Sequence, residues 1–192
     1  MQEAKAYEKL QGGILMEFEE IMEKESVLWR ECPEEFVTLD QTYKPGFILR
    51  AVICTIIAVG LTVAYLLYTK GQNISYIVLF VLWVVCAYSV LRDFLDANKL
   101  RKAEYIVTDN YVIFAGKDSF VVEKKHIGAY QFKTDPADHT ALLAGTAIEE
   151  KPAKWRMLAV SEPILEDEAE IYNRFVMYGV KDVAGLKAAM EQ

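Results

Sequence analysis

The chain has 192 residues, of which 53% are hydrophobic, and a formal net charge of −7. That length holds one modest soluble domain plus an anchor, not two domains beside it, and the acidic excess argues against nucleic acid, which is bound through Lys and Arg that neutralise phosphates. Mean hydropathy is only +0.12, so the apolar residues are concentrated, and they gather in two runs within residues 51–91.

In chain order, the first ten residues are polar and carry Glu3 and Glu8, which does not read as a signal peptide. Leu10, Ile14, Leu15, Phe18, Ile21 and Met22 then recur near a period of 3.6, with Glu17, Glu19, Glu20 and Glu23 between them. This predicts an amphipathic helix with an acidic outer face, suited to docking on the soluble domain or a second copy rather than on a membrane surface. Residues 26–44 contain Pro33, which removes an amide donor and biases Cys32 to extended geometry, so a bent segment with Trp29 and Phe36 packed down is expected.

Lys44, Pro45 and Gly46 read as a break before a first span that starts at Phe47. Residues 51–69 carry no charge, and about 19 residues at roughly 1.5 Å each match a hydrocarbon layer about 30 Å thick. Residues 74–91 form a second uncharged run, far longer than an ordinary strand. Only Lys70, Gly71, Gln72 and Asn73 separate the two, which predicts an antiparallel helical hairpin whose first helix is retained as a signal anchor. Basic residues flank it on one side: Lys44 and Arg50 before it, and Arg92, Lys99, Arg101 and Lys102 after it. The positive-inside tendency then places both termini in the cytoplasm, with Arg50, Arg92, Lys99, Arg101 and Lys102 at the membrane interface. Cys54 and Cys86 lie within the runs and read as packing residues, and Cys32 stands alone, so no disulfide framework is expected.

At Ala103 the period changes. Residues 104–108 and 111–114 are β-rich runs joined by Asp109 and Asn110, a pair tolerant of the positive φ of tight hairpins. Residues 119–123 and 128–133 read as further strands, Asp135 to Asp138 as a turn, 140–148 as a small-residue strand or short helix, 155–160 as another strand and 161–170 as an acidic loop. Residues 174–180 close the series as a strand, and 182–190 form a helix with Asp182 in the capping position.

Several meandering strands followed by one C-terminal helix resemble a pleckstrin-homology-like (PH-like) barrel. The run from Tyr105 to Phe114 resembles the first hairpin of bacterial PH-like domains in small membrane proteins, and the run from Glu25 to Pro33 looks like the lead-in that precedes their helical hairpin. The resemblance implies an α+β membrane protein in which a two-helix transmembrane hairpin is followed by a PH-like antiparallel β-barrel capped by a C-terminal helix. The divisions are 1–46 (cytoplasmic amphipathic helix and lead-in), 47–91 (hairpin) and 92–192 (cytoplasmic domain). It implies a non-enzymatic module of the cell membrane, without catalytic residue or cofactor, that binds a protein or peptide partner or its own copies.

Trp29, Lys124, Lys125 and His126 are the candidate contacts for a partner or an anionic headgroup. With no second basic strand beside 124–126, specific lipid recognition is not expected. The alternative is a small membrane enzyme with a carboxylate and histidine metal site, for which Asp135, Asp138, His139, Glu149 and Glu150 are candidates; Glu166, Asp167 and Glu168 read as a solvated acidic loop. No nucleophile elbow, Walker loop or dinucleotide fingerprint is present.

Overall fold

A computed structural model describes residues 21–69, 76–117, 119–166 and 170–192. The amphipathic segment before Ile21, the link at 70–73, Asp118 of the third turn, and Asp167 and Glu168 of the acidic loop lie outside the described residues.

The architecture is α+β. Two 26-residue helices, α1 (Lys44–Thr69) and α2 (Tyr76–Arg101), are long and apolar enough to cross a membrane. Of the most apolar stretch of each, 6% and 0% is buried within the protein, which is the reverse of a core helix. Pro45 and Gly46 do not break the chain as expected: they sit in the first turn of α1, where an amide donor has no intrahelical partner to lose. Asp40 prepares that start, its Oδ1 accepting from the Thr42 and Tyr43 amides at 2.8 and 3.2 Å.

The remaining elements form antiparallel sheets. A four-stranded sheet has the order β1 (Val27–Glu31), β2 (Glu104–Thr108), β3 (Tyr111–Ala115), β4 (Phe120–Glu123). A second sheet has the order β5 (Tyr130–Thr134), β6 (Thr140–Gly145), β9 (Arg174–Tyr178), and β7 (Leu165–Glu166) pairs with β8 (Ile171–Tyr172) as a small ribbon. The lead-in therefore supplies a strand: Arg30 pairs with Ile106 and Glu31 with Tyr105 across the intervening helices. Alternation sorts the residues, so that Trp29, Tyr105, Val107, Val112, Phe114, Phe120 and Val122 join the main core with Leu142, Val176 and Leu186. Helix α4 (Val183–Glu191) begins as expected, with the Asp182 carboxylate accepting from the Gly185 amide at 2.8 Å.

The sheets do not close into the expected barrel. On one side they are joined where the Glu34 amide donates to the Gly179 carbonyl at 2.7 Å; Gly179, at φ 76°, lets the two backbones approach there. On the other side β4 and β5 are unpaired, because the chain turns away through a 3-10 turn at Lys124–His126. Two further expectations are corrected. Residues 155–160 are not a strand: α3 (Trp155–Ala159) is a short helix, nucleated by the Pro152–Lys154 turn and by Trp155 Nε1 donating to the Glu150 carbonyl at 3.0 Å. Neither Asp109 nor Asn110 takes a positive φ; their turn is held by side chains instead, with the Asn110 amide bonded to Glu25 at 3.1 Å and the Tyr111 amide to Thr108 Oγ1 at 3.1 Å.

Candidate functional site

Two features stand out where the helices meet the sheets: a buried polar node and an open sheet edge. The node is centred on Arg156 of α3, which is 3% exposed. Its guanidinium pairs with the Asp40 carboxylate, donates to the Val37 and Thr38 carbonyls at 3.1 Å each and donates to Tyr178 Oη at 3.0 Å. Tyr178 Oη donates in turn to Asp135 Oδ2 at 2.7 Å. The rings of Tyr43 and Phe36 lie 3.9 and 4.1 Å from the guanidinium carbon, so a buried cation is met by charge, carbonyls and π-faces together. Burial first, and the Asp135 carboxylate second, push the Tyr178 hydroxyl far above the usual phenol range, and burial does the same to Tyr43. Both therefore stay protonated, as fixed donors rather than acid or base groups. The cavity at this node is about 10 Å³, no larger than one water needs, so it admits no substrate.

The node joins the helical pair to the sheets. Phe47 of α1 meets Phe94 of α2 edge-on at 5.6 Å, Arg50 bonds Asp93 at 2.8 Å, and Ala97 and Leu100 of α2 are fully buried in or beside the domain core. Arg101 donates to the Phe36 carbonyl and Thr38 Oγ1 at 2.9 and 2.7 Å. Of the five residues assigned to a membrane interface, Arg50 and Arg101 thus bind protein groups, Arg92 faces Asp96 at 3.6 Å, Lys99 lies in the last turn of α2, and Lys102 is exposed.

The other sequence candidates are placed differently. Trp29, at 8% exposed, packs in the core and is not a surface contact. Lys124 Nζ donates to the Ala189 carbonyl at 2.7 Å, closing the last turn of α4; Lys125 pairs with Glu123 at 2.6 Å; His126 Nδ1 lies 2.5 Å from the Glu170 carbonyl. Each residue of the basic run is thus engaged by a protein group. In the candidate metal turn, Asp135 Oδ1 accepts from the Ala137 and His139 amides at 2.8 and 3.0 Å, Oδ2 is taken by Tyr178, and Glu150 pairs with Lys154 at 2.8 Å. Among the described residues no three carboxylate, imidazole or thiol groups converge.

The open edge follows from the register. The Asp135 amide donates to the His139 carbonyl, so the paired positions of β5 and β6 that exchange hydrogen bonds are Lys133 with Ala141 and Gln131 with Leu143. Tyr130, Phe132 and Thr134 consequently turn their N–H and C=O groups away from β6. The same parity exposes Val121 and Glu123 on β4, but the Glu123 amide there is met by Tyr172 Oη at 3.4 Å. On β9, the outward amide and carbonyl of Tyr178 are both taken by the Tyr105 hydroxyl, at 2.9 and 3.1 Å. Between α1 and α2 runs a groove of about 340 Å³ lined by Ala51, Cys54, Thr55, Ala58, Trp83 and Cys86 among others; both cysteines are free thiols in it.

Arg156, Asp40, Tyr43 and Tyr105 escape sequence reasoning. The one available signal is a lone cation inside the apolar run from Trp155 to Val160. These features define an α+β protein with two helices able to cross a membrane and antiparallel sheets left open at β5. No family model, curated protein or solved structure matches the chain.

Proposed function

We propose that the chain is a bacterial, PH-like, non-enzymatic module anchored in the cell membrane by α1 and α2, with both termini cytoplasmic, that binds a protein or peptide strand, or a second copy of itself, along β5. The observation that carries this reading is the row of outward N–H and C=O groups on Tyr130, Phe132 and Thr134, whereas on β4 the outward Glu123 amide and on β9 the outward groups of Tyr178 are met by tyrosine hydroxyls. Strand addition needs such a row, and an unpaired one invites it. A four-stranded meander, a second antiparallel sheet and a C-terminal helix packed near β1 and β2 support the PH-like likeness. Large apolar side chains exposed along both helices, such as Leu67 at 73% and Phe80 at 69%, support the membrane assignment.

The test is crosslinking in native membranes followed by mass spectrometry, comparing wild type with Thr134→Pro. Proline there removes an outward donor and leaves the β5–β6 bonds in place, so the crosslinked product is lost while thermal stability holds. Lys133→Pro, which removes a bond within the ladder, lowers thermal stability and serves as the contrast. Crosslinks that persist in Thr134→Pro, or none in wild type, end the proposal. Topology is checked separately: on a cysteine-free background, Gln72→Cys reacts with an impermeant maleimide on intact cells, and Asp138→Cys reacts only after permeabilisation.

A further inference from the structure

The four-stranded sheet has a second apolar face. Ile106 and Ile113, paired across β2 and β3, point away from the main core, yet they are 1% and 0% exposed. Tyr111, Ala115 and Val121 flank them on the same face. Among the described residues, the side chains that cover this patch from outside the sheet are Ile21 and Met22. Residues 21–24 make a single helical turn, about 5 Å long, whereas three strands at about 4.8 Å spacing and three residues of each span a patch of roughly 10 Å in both directions.

The direction of the chain at this point is fixed. Glu25 accepts from Asn110 N and Nδ2 at 3.1 and 2.9 Å and from Thr108 Oγ1. Ser26 Oγ donates to Asp109 at 2.5 Å. The turn that carries Ile21 is thereby anchored at the β2–β3 corner, with Ile21 and Met22 on the face. In the sequence, Leu10, Ile14, Leu15 and Phe18 continue the stripe of Ile21 and Met22 backward at helical spacing, with Glu17, Glu19, Glu20 and Glu23 opposite.

We infer that the outer face of this sheet is a docking surface for an acidic amphipathic helix, and that its occupant is the chain's own segment 10–22, bound in cis. It is a second interaction surface, on a different sheet from β5, and departure of the segment uncovers Ile106, Ile113, Tyr111 and Val121 together.

A photoreactive phenylalanine at position 18 tests this in the full-length protein, using mixed light and ¹⁵N-labelled copies in lipid nanodiscs. Crosslinks from position 18 to residues 104–121 of the same isotopic copy are expected. Crosslinks joining light to heavy copies, or none reaching 104–121, overturn it. As a second measurement, Phe18→Glu makes amide exchange in residues 104–115 about tenfold faster while residues 130–134 are unchanged; unaltered exchange in 104–115 overturns the inference equally.

Discussion

Two cationic regions of this molecule make opposite use of their charge. Lys124, Lys125 and His126 are conspicuous in the sequence and sit near the surface, where their partners are the Ala189 carbonyl, Glu123 and the Glu170 carbonyl. Arg156 is inconspicuous, lies 3% exposed, and takes its carboxylate from Asp40, 116 positions away. The first region stays within reach of water and holds a helix end through Lys124. The second stitches the segment before α1 to α3 and β9. Charge density along a sequence therefore says little about where charge matters; burial decides it, because a desolvated ion has no solvent to replace a lost partner.

The sharpest way to break the contrast is to remove one side of the buried pair. Arg156→Ala and Asp40→Ala should each cost about 3–5 kcal/mol, since each leaves an uncompensated buried charge or a cavity between the Phe36 and Tyr43 rings. Lys125→Ala, at an exposed ion pair, should leave the unfolding midpoint close to that of wild type. Thermal unfolding followed by circular dichroism in detergent reads all three. The Asp40→Ala, Arg156→Ala double variant should lose less than the sum of the single losses; additive losses would mean the two groups act separately.

Next in size is the Tyr105 hydroxyl, which serves the amide and the carbonyl of Tyr178 at once. Tyr105→Phe keeps the ring and strands both backbone groups in the core, at a cost of about 1–3 kcal/mol by denaturant unfolding. Burial pushes the Tyr105 hydroxyl far above the ordinary phenol range, so the advantage of wild type over the variant should be full below the unfolded-state value of about 10 and shrink as pH rises past it, where only the unfolded chain ionises. A difference that stays constant as pH is raised past about 10 would show that the hydroxyl ionises alike in both states and is reached by solvent.

Much of the fold was legible because its signals are local. Uncharged runs of helix-spanning length announce α1 and α2, β-branched and aromatic residues on either side of Asp109 and Asn110 announce β2 and β3, and Asp182 marks the start of α4. What escaped depends on contacts between distant segments. The run from Val27 to Glu31 becomes a strand only because β2 accepts it across two long helices. Residues 155–160 are too few for periodicity to separate helix from strand, and the Pro152 turn and the demands of Arg156 make them helical. The open edge at β5 was not legible in the sequence. Its position required the register of β5 on β6, which no single residue reveals.

The smallest effect concerns a carboxylate near the surface. Burial pushes Glu25 upward, but the hydrogen bonds from Thr108 and from the side chain and amide of Asn110 together outweigh it, so its carboxyl lies below the usual carboxylate range. A depressed folded-state pKa stabilises above the unfolded value of about 4.3, and the contribution is lost as pH falls through the folded one. Glu25→Gln retains a neutral acceptor but no charge, so it should melt slightly earlier than wild type at pH 7, and the gap should close as pH is lowered through the acidic range. A gap that does not change with pH would mean that shape alone holds the β2–β3 corner. A gap as large as that of Asp40→Ala would erase the distinction between buried and exposed charge, because Glu25 keeps access to water that Asp40 has lost.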